Sequence, residues 1–168
     1  PTLSGTGIVF DGSAGTVYGS VTLQEDLTIG KDESLTIGDG ASLTTDGKLT
    51  VNGGTLNGTP NGDVTYKVTG VSLNKDSLTL DVGAIDTLTA TITPDKATNK
   101  NVTWSSDNEN VVTVDNGVVT AVGAGSTTIK ATAQDGSGKS ASCSVTVNAA
   151  TVPVTGVSLN KTELTLTE

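Results

Sequence analysis

The sequence predicts an all-β protein, a β-sandwich preceded by a domain of much shorter strands. Three observations carry this prediction. No segment repeats apolar residues at the i, i+3, i+4, i+7 spacing of an amphipathic helix. Short runs of alternating apolar and polar residues, divided by Gly, Asp and Asn, recur along the whole chain. The runs also come in two lengths, which divide the chain into residues 1–66, 67–149 and 150–168.

In the first part the runs are SVTL, DLTIG, SLTIG, SLTT, KLTV and GTL. Leu27, Leu35 and Leu43 recur at an eight-residue spacing, each followed by Thr. Strands this short cannot form a stable hairpin alone. Stacked as rungs they bury one continuous aliphatic column, which is the logic of a β-solenoid. An antiparallel meander is the alternative. The stretch resembles the degenerate solenoid segments of bacterial surface proteins.

The second part has longer strands: TGVSLN, SLTLDV, DTLTATITP, NVTWSS, VVTVD, GVVTAVG, STTIKATAQ and SASCSVTVN. Asn116-Gly117 lies between two of them and predicts a tight hairpin, since both positions accept φ > 0. Strands with turn signals every eight to twelve residues predict a β-sandwich. Alternation then assigns the inner face to Leu88, Ala90 and Ile92, to Val102 and Trp104, to Thr127, Ile129, Ala131 and Ala133, and to Ala141, Cys143, Val145 and Val147.

Three stretches, VTGVSLNKDSLTLDVG, VTWSSDNENVVTVDNGVVTAVGAGSTTIKATAQDGSG and SASCSVTV, together resemble the bacterial immunoglobulin-like group 2 (BIg2) domain. The resemblance implies an immunoglobulin-like sandwich over residues 67–149. VTGVSLNK recurs at Val154, so residues 150–168 are read as a linker followed by the first strands of a second copy. With no initiator Met, and an end in mid-pattern at Glu168, the sequence reads as a piece of something longer.

Composition narrows the function. The net charge is −9 and all nine basic residues are Lys, with no basic cluster to neutralise phosphates, which argues against nucleic acid. No apolar run is long enough to span a membrane. There is no His, so a Ser-His-Asp or Cys-His relay cannot be assembled. The acids sit mostly in turn contexts such as FDGS, GDGA, TDGK and QDGS, where Asp bonds its own backbone. The chain is therefore expected to be non-catalytic and to need no cofactor.

Trp104, the single tryptophan, is assigned to the sandwich core rather than to a sugar-stacking platform, because Val102 shares its face. Cys143, the single thiol, alternates with Ala141, Val145 and Val147 and points inward as a small hydrophobe. Leu88, Ile92, Val102, Ile129 and Val145 complete the expected core. Asp107, Glu109 and Asp115 are the carboxylates nearest to a calcium cluster, but the spacing of a calcium loop is missing and no metal is expected.

The resemblance implies a structural module of a secreted or cell-surface bacterial protein, extracellular in location, in which tandem domains act as a stalk. Its partners are then neighbouring domains or copies of the same chain. Val154, Val157, Leu159, Leu164 and Leu166 would be the strand that the truncated repeat donates to another sheet edge. The alternatives are an adhesin binding host glycan or matrix protein, and an accessory module of a glycoside hydrolase. Exposed aromatics would favour binding, and Phe10, Tyr18 and Tyr66 lie outside the sandwich.

Overall fold

The computed structural model describes residues 5–150 together with 155, 156 and 158. All regular structure among them is β. In the N-terminal part the strands are β1 (Gly7–Asp11), β2 (Ala14–Tyr18), β3 (Ser20–Thr22), β4 (Leu27–Ile29), β5 (Ser34–Ile37), β6 (Ser42–Thr44), β7 (Leu49–Val51), β8 (Thr55–Asn57) and β9 (Val64–Tyr66). They form three narrow sheets, β2-β5-β8, β3-β6 and β4-β7-β9, and every pair in those runs is parallel. β1 lies antiparallel on β2 and covers the outer edge of the first sheet.

The chain thus visits three faces before it stacks on itself. Register makes this concrete: Gly15 pairs with Leu35 and Leu35 with Leu56, Val21 pairs with Leu43, and Leu27 pairs with Leu49 and Leu49 with Val64. Leu27, Leu35 and Leu43 consequently sit on three different faces. The continuous aliphatic interior expected of stacked rungs is present, but the eight-residue spacing is not the repeat of the coil. A strand of three or four residues plus its turn takes about eight residues, so that spacing measures one face of the coil and not one full turn. The side chains still converge, because each face sends its apolar positions inward. Val17, Ile29, Leu35, Leu43, Leu49 and Val51 are buried together, and Leu27, Ile37, Leu56 and Tyr66 pack around them. Each fully buried leucine contributes about 1.5–3 kcal/mol.

One interior position is polar. Thr45 is completely buried, and its hydroxyl lies 2.7 Å from the Asp63 carbonyl and 3.2 Å from that of Asn61. It ties the last circuit of the coil, which forms only a single bridge on this face, to the circuit before it.

The second part contains β10 (Gly70–Leu73), β11 (Ser77–Asp81), β12 (Ile85–Thr87), β13 (Ala90–Thr93), β14 (Val102–Ser106), β15 (Val112–Asp115), β16 (Val118–Ala121), β17 (Gly125–Ala133) and β18 (Ser140–Asn148). One sheet has the order β11-β18-β17-β14, with β11 parallel to β18 and the other pairs antiparallel. β12-β16-β15 and β10-β13 form the opposing layer. Leu88, Val112, Val119, Ile129, Cys143, Val145 and Val147 fill the space between. The strict alternation of β17 and β18 puts these residues inside and Thr, Ser and Lys outside.

The Asn116-Gly117 hairpin forms as its sequence predicts. Both residues have left-handed φ, 47° and 85°, and Asp115 pairs with Val118 across a two-residue loop.

Candidate functional site

The expected core residues take their places unevenly. Leu88, Ile129, Cys143 and Val145 are fully buried in the main cluster, and Ile92 packs against a second cluster of Val68, Ala97 and Ala133. Val102 and Trp104 are only half-buried. Their strand, β14, is the edge of its sheet, so a neighbour covers it on one side only. Trp104 nevertheless packs against the main core and beside Gly117. Burial, reinforced by the negative charge of Asp76, raises the Cys143 thiol pKa and keeps the group a neutral thiol.

Asp107, Glu109 and Asp115 do not come together as a calcium set. Asp107 and Glu109 occupy the turn before β15, whereas Asp115 closes that strand and accepts the Asn116 side-chain amide at 3.0 Å. Each strand residue advances about 3.3 Å, which carries Asp115 well away from the other two. Among the described residues no group of three or more His, Cys, Asp or Glu could hold a metal ion. Val154, Val157, Leu159, Leu164 and Leu166 lie outside the described residues. Phe10 is exposed on the covering strand β1, far in sequence from the sandwich.

The feature that sequence reasoning missed is the passage from coil to sandwich. β9 ends at Tyr66 and β10 begins at Gly70, with no free linker between them. Tyr66 belongs to the coil, paired with Val51, yet its N–H donates to Thr98 Oγ1 and its carbonyl accepts the Thr98 N–H, both at 2.9 Å. The Lys96 ammonium sits 4.3 Å from the Tyr66 ring centroid, a cation–π distance. Lys67 still bonds the coil through its N–H to the Val51 carbonyl, while its ammonium donates to the Asp135 carbonyl at 2.7 Å. Val68, fully buried, donates its N–H to Asp135 Oδ2 at 2.6 Å. The Ser137 N–H holds the other carboxylate oxygen at 2.9 Å. Burial pushes the Asp135 pKa up, but the hydrogen bonds from Ser137 and Val68 outweigh it and the carboxyl titrates below its ordinary value.

Two adjoining hollows flank this passage. The larger, about 570 Å³, is lined by Gly30, Lys31, Asn52, Gly53, Thr69 and Lys139. The smaller, about 140 Å³, shares Gly53 and Thr69 with it and adds Tyr66, Lys67 and Lys96. The residues come from coil turns, from the passage itself, and from the β13–β14 and β17–β18 loops. Their only common mark in the sequence is lysine placed in turns of an acidic chain.

The family comparison agrees with the sandwich assignment. Residues 67–145 match the family model described as "Bacterial Ig-like domain (group 2)". Among solved structures, domains 4 and 5 of the S-layer protein SbsC align at 21% identity and a TM-score of 0.40, covering 50% of this chain and 55% of that one. A structure of SbsC domains 1–6 aligns at 22% identity and a TM-score of 0.43, covering 56% of this chain and 15% of that one. No curated protein matches the chain. The two-layer architecture, the alternating inner faces of β17 and β18 and the family match lead to one conclusion: residues 67–145 form a bacterial Ig-like domain of group 2.

Proposed function

We propose that the chain is a non-catalytic spacer of a bacterial secreted or cell-surface protein, a stalk segment that holds other parts of its parent at a fixed distance. The observation that carries this reading is the linker-free passage. Tyr66 is a coil residue bonded twice to the sandwich, and Val68 is buried and bonded to Asp135. A spacer keeps its length only if its links do not pivot, and domains joined by a free linker pivot by default. The chemistry supports the same reading, since the sequence has no His and its single thiol is buried.

Backbone ¹⁵N relaxation tests this directly. Coil amides, such as those of Leu43 and Leu49, and sandwich amides, such as those of Ile129 and Val145, should report one common tumbling time. Two distinct times would mean that the parts reorient independently, and the spacer reading would be wrong.

A self-assembling version of the stalk is the second reading. The sheet orders leave β14 and β15 as edges, which can accept an added strand. Residues 151–168 would supply that strand to another copy. Light scattering of the full chain and of a chain lacking 151–168 decides it: identical assembly of the two removes strand donation.

A further inference from the structure

We infer that Asn52 is a site of spontaneous covalent modification, at which the Gly53 amide displaces ammonia from the Asn52 side chain and leaves a carboxylate at the junction of coil and sandwich. The inference does not rest on the spacer reading. It starts from the chemistry that an Asn-Gly pair carries. The glycine nitrogen attacks the side-chain carbonyl carbon of the asparagine. A C–N bond forms, the C–NH2 bond breaks, and ammonia leaves with the proton from the glycine nitrogen. Water then opens the cyclic imide that remains. Opening at the side-chain carbonyl leaves aspartate. Opening at the main-chain carbonyl leaves isoaspartate, whose backbone runs through the side chain and is longer by a methylene. Glycine has no Cβ to obstruct the approach, so it is the successor that lets this reaction proceed.

The sequence holds four such pairs, Asn52-Gly53, Asn57-Gly58, Asn61-Gly62 and Asn116-Gly117. All four asparagines are exposed, so neither sequence nor access chooses among them. Hydrogen bonding does. Attack requires the side-chain amide to turn toward the glycine nitrogen and the intervening peptide to rotate. Asn116 donates its side-chain amide to Asp115 Oδ1 at 3.0 Å, and the buried Gly117 that follows is held through its carbonyl by the Leu88 N–H at 2.8 Å. Asn57 donates its side-chain amide to Thr36 Oγ1 at 3.1 Å. The Asn61 carbonyl, part of the peptide that would rotate, accepts the Thr45 N–H at 2.9 Å and the Thr45 hydroxyl at 3.2 Å. Asn52 carries none of these restraints. Its N–H is anchored on the Ile29 carbonyl at 2.8 Å, but among the described residues its side chain, its carbonyl and the Gly53 N–H make no hydrogen bond.

The surroundings give the reaction room. Asn52 and Gly53 line the larger hollow, whose volume of about 570 Å³ admits both the imide ring and the water that opens it. Their turn joins β7 to β8, and Thr69 and Lys139 line the same hollow from the sandwich side. Both products therefore alter the junction. Either one places a new negative charge in the wall that Lys31 and Lys139 share, and isoaspartate also lengthens the β7–β8 turn. Ammonia escapes into solvent and the amide does not re-form. The change accordingly accumulates with the age of the chain.

Peptide mass spectrometry of the full chain, aged in ¹⁸O-water at mildly alkaline pH, tests the assignment, because each conversion installs a labelled oxygen. In the folded chain Asn52 should convert about tenfold faster than Asn57, Asn61 or Asn116, the rate equivalent of a hydrogen bond that need not be broken first. In concentrated urea the advantage of Asn52 should vanish, since all four pairs are then alike in sequence and free of structure. The inference is overturned by any of three results: another of the four pairs converts as fast as Asn52 in the folded chain, Asn52 stays intact there while the unfolded chain is converted, or Asn52 keeps its lead in urea.

Discussion

Asp135 Oδ2 accepts the Val68 N–H at 2.6 Å, so a carboxylate from the β17–β18 loop fixes the residue by which the chain leaves the coil. Asp135→Ala strands a buried N–H and should destabilise the sandwich by about 1–3 kcal/mol in urea unfolding. The pH dependence has a definite sign. The folded pKa lies below the ordinary 3.8, so the contribution is complete above that value and is lost as pH falls through the folded pKa. Asp86, lowered by its hydrogen bond to Lys75, titrates in the same direction. The Ala variant should therefore show a shallower acid loss than the parent, not a flat profile. An identical slope would remove Asp135 from the account.

Gly117 and Gly136 both have left-handed φ, 85° and 77°. A Cβ on Gly136 meets nothing within 4 Å, whereas on Gly117 it would collide with the Leu88 carbonyl and stand 3.3 Å from Trp104 Cζ2. Gly136→Ala should cost about 1 kcal/mol from backbone strain alone. Gly117→Ala should cost at least about 2 kcal/mol, because the hairpin must also move off Leu88, whose N–H bonds the Gly117 carbonyl at 2.8 Å. Equal losses in chemical denaturation would contradict the collision.

Thr45→Val keeps the shape of the side chain and deletes its donor. The Asp63 carbonyl, 2.7 Å from the hydroxyl, loses that partner. We expect a loss of about 1–3 kcal/mol, with hydrogen exchange accelerated first in β9 and the segment before it. Thr45→Ser, which keeps the hydroxyl, should lose less than Thr45→Val. The reverse order would show that packing, not the hydrogen bond, matters at this position.

Cys143 is fully buried with a raised thiol pKa, since burial disfavours the thiolate. A thiol reagent at neutral pH should label it at the rate of unfolding, and urea should accelerate labelling in step with the loss of structure. Rapid labelling of the native chain would place the β18 register one residue off.

Much of this was legible in the sequence. Period-2 alternation in β17 and β18 identified Ile129, Cys143 and Val145 as interior, and Asn116-Gly117 identified the hairpin, because each is a local property of strand geometry. The stacking of the coil was less legible. The eight-residue recurrence of Leu27, Leu35 and Leu43 is visible, but their true partners, Leu49, Leu56 and Val21, lie further off and depend on how many faces make one circuit. The half-exposure of Trp104 is not legible, because alternation tells which face a residue takes and not that its strand, β14, is an edge. The junction was illegible for a related reason. Lys31, Lys67, Lys96 and Lys139 are scattered along the chain, and only the packing of coil turns against sandwich loops brings them to adjoining hollows.

The parallel pairing of β11 with β18 has a mechanical consequence. The chain enters the sandwich at Lys67, beside Asp135 in the loop that leads into β18, and leaves it at Asn148, beside the end of β11. Tension applied through those two points reaches β10 and its partner β13 first, and then slides β11 and β18 past one another along their common axis. The five register pairs from Ser77–Ser144 to Asp81–Asn148 then carry the load side by side. An antiparallel pair pulled from the same end would open one bond at a time like a zip. The pairing of the sandwich's second strand with its last therefore loads this domain in shear, the geometry in which a few short strands resist the greatest force before they part.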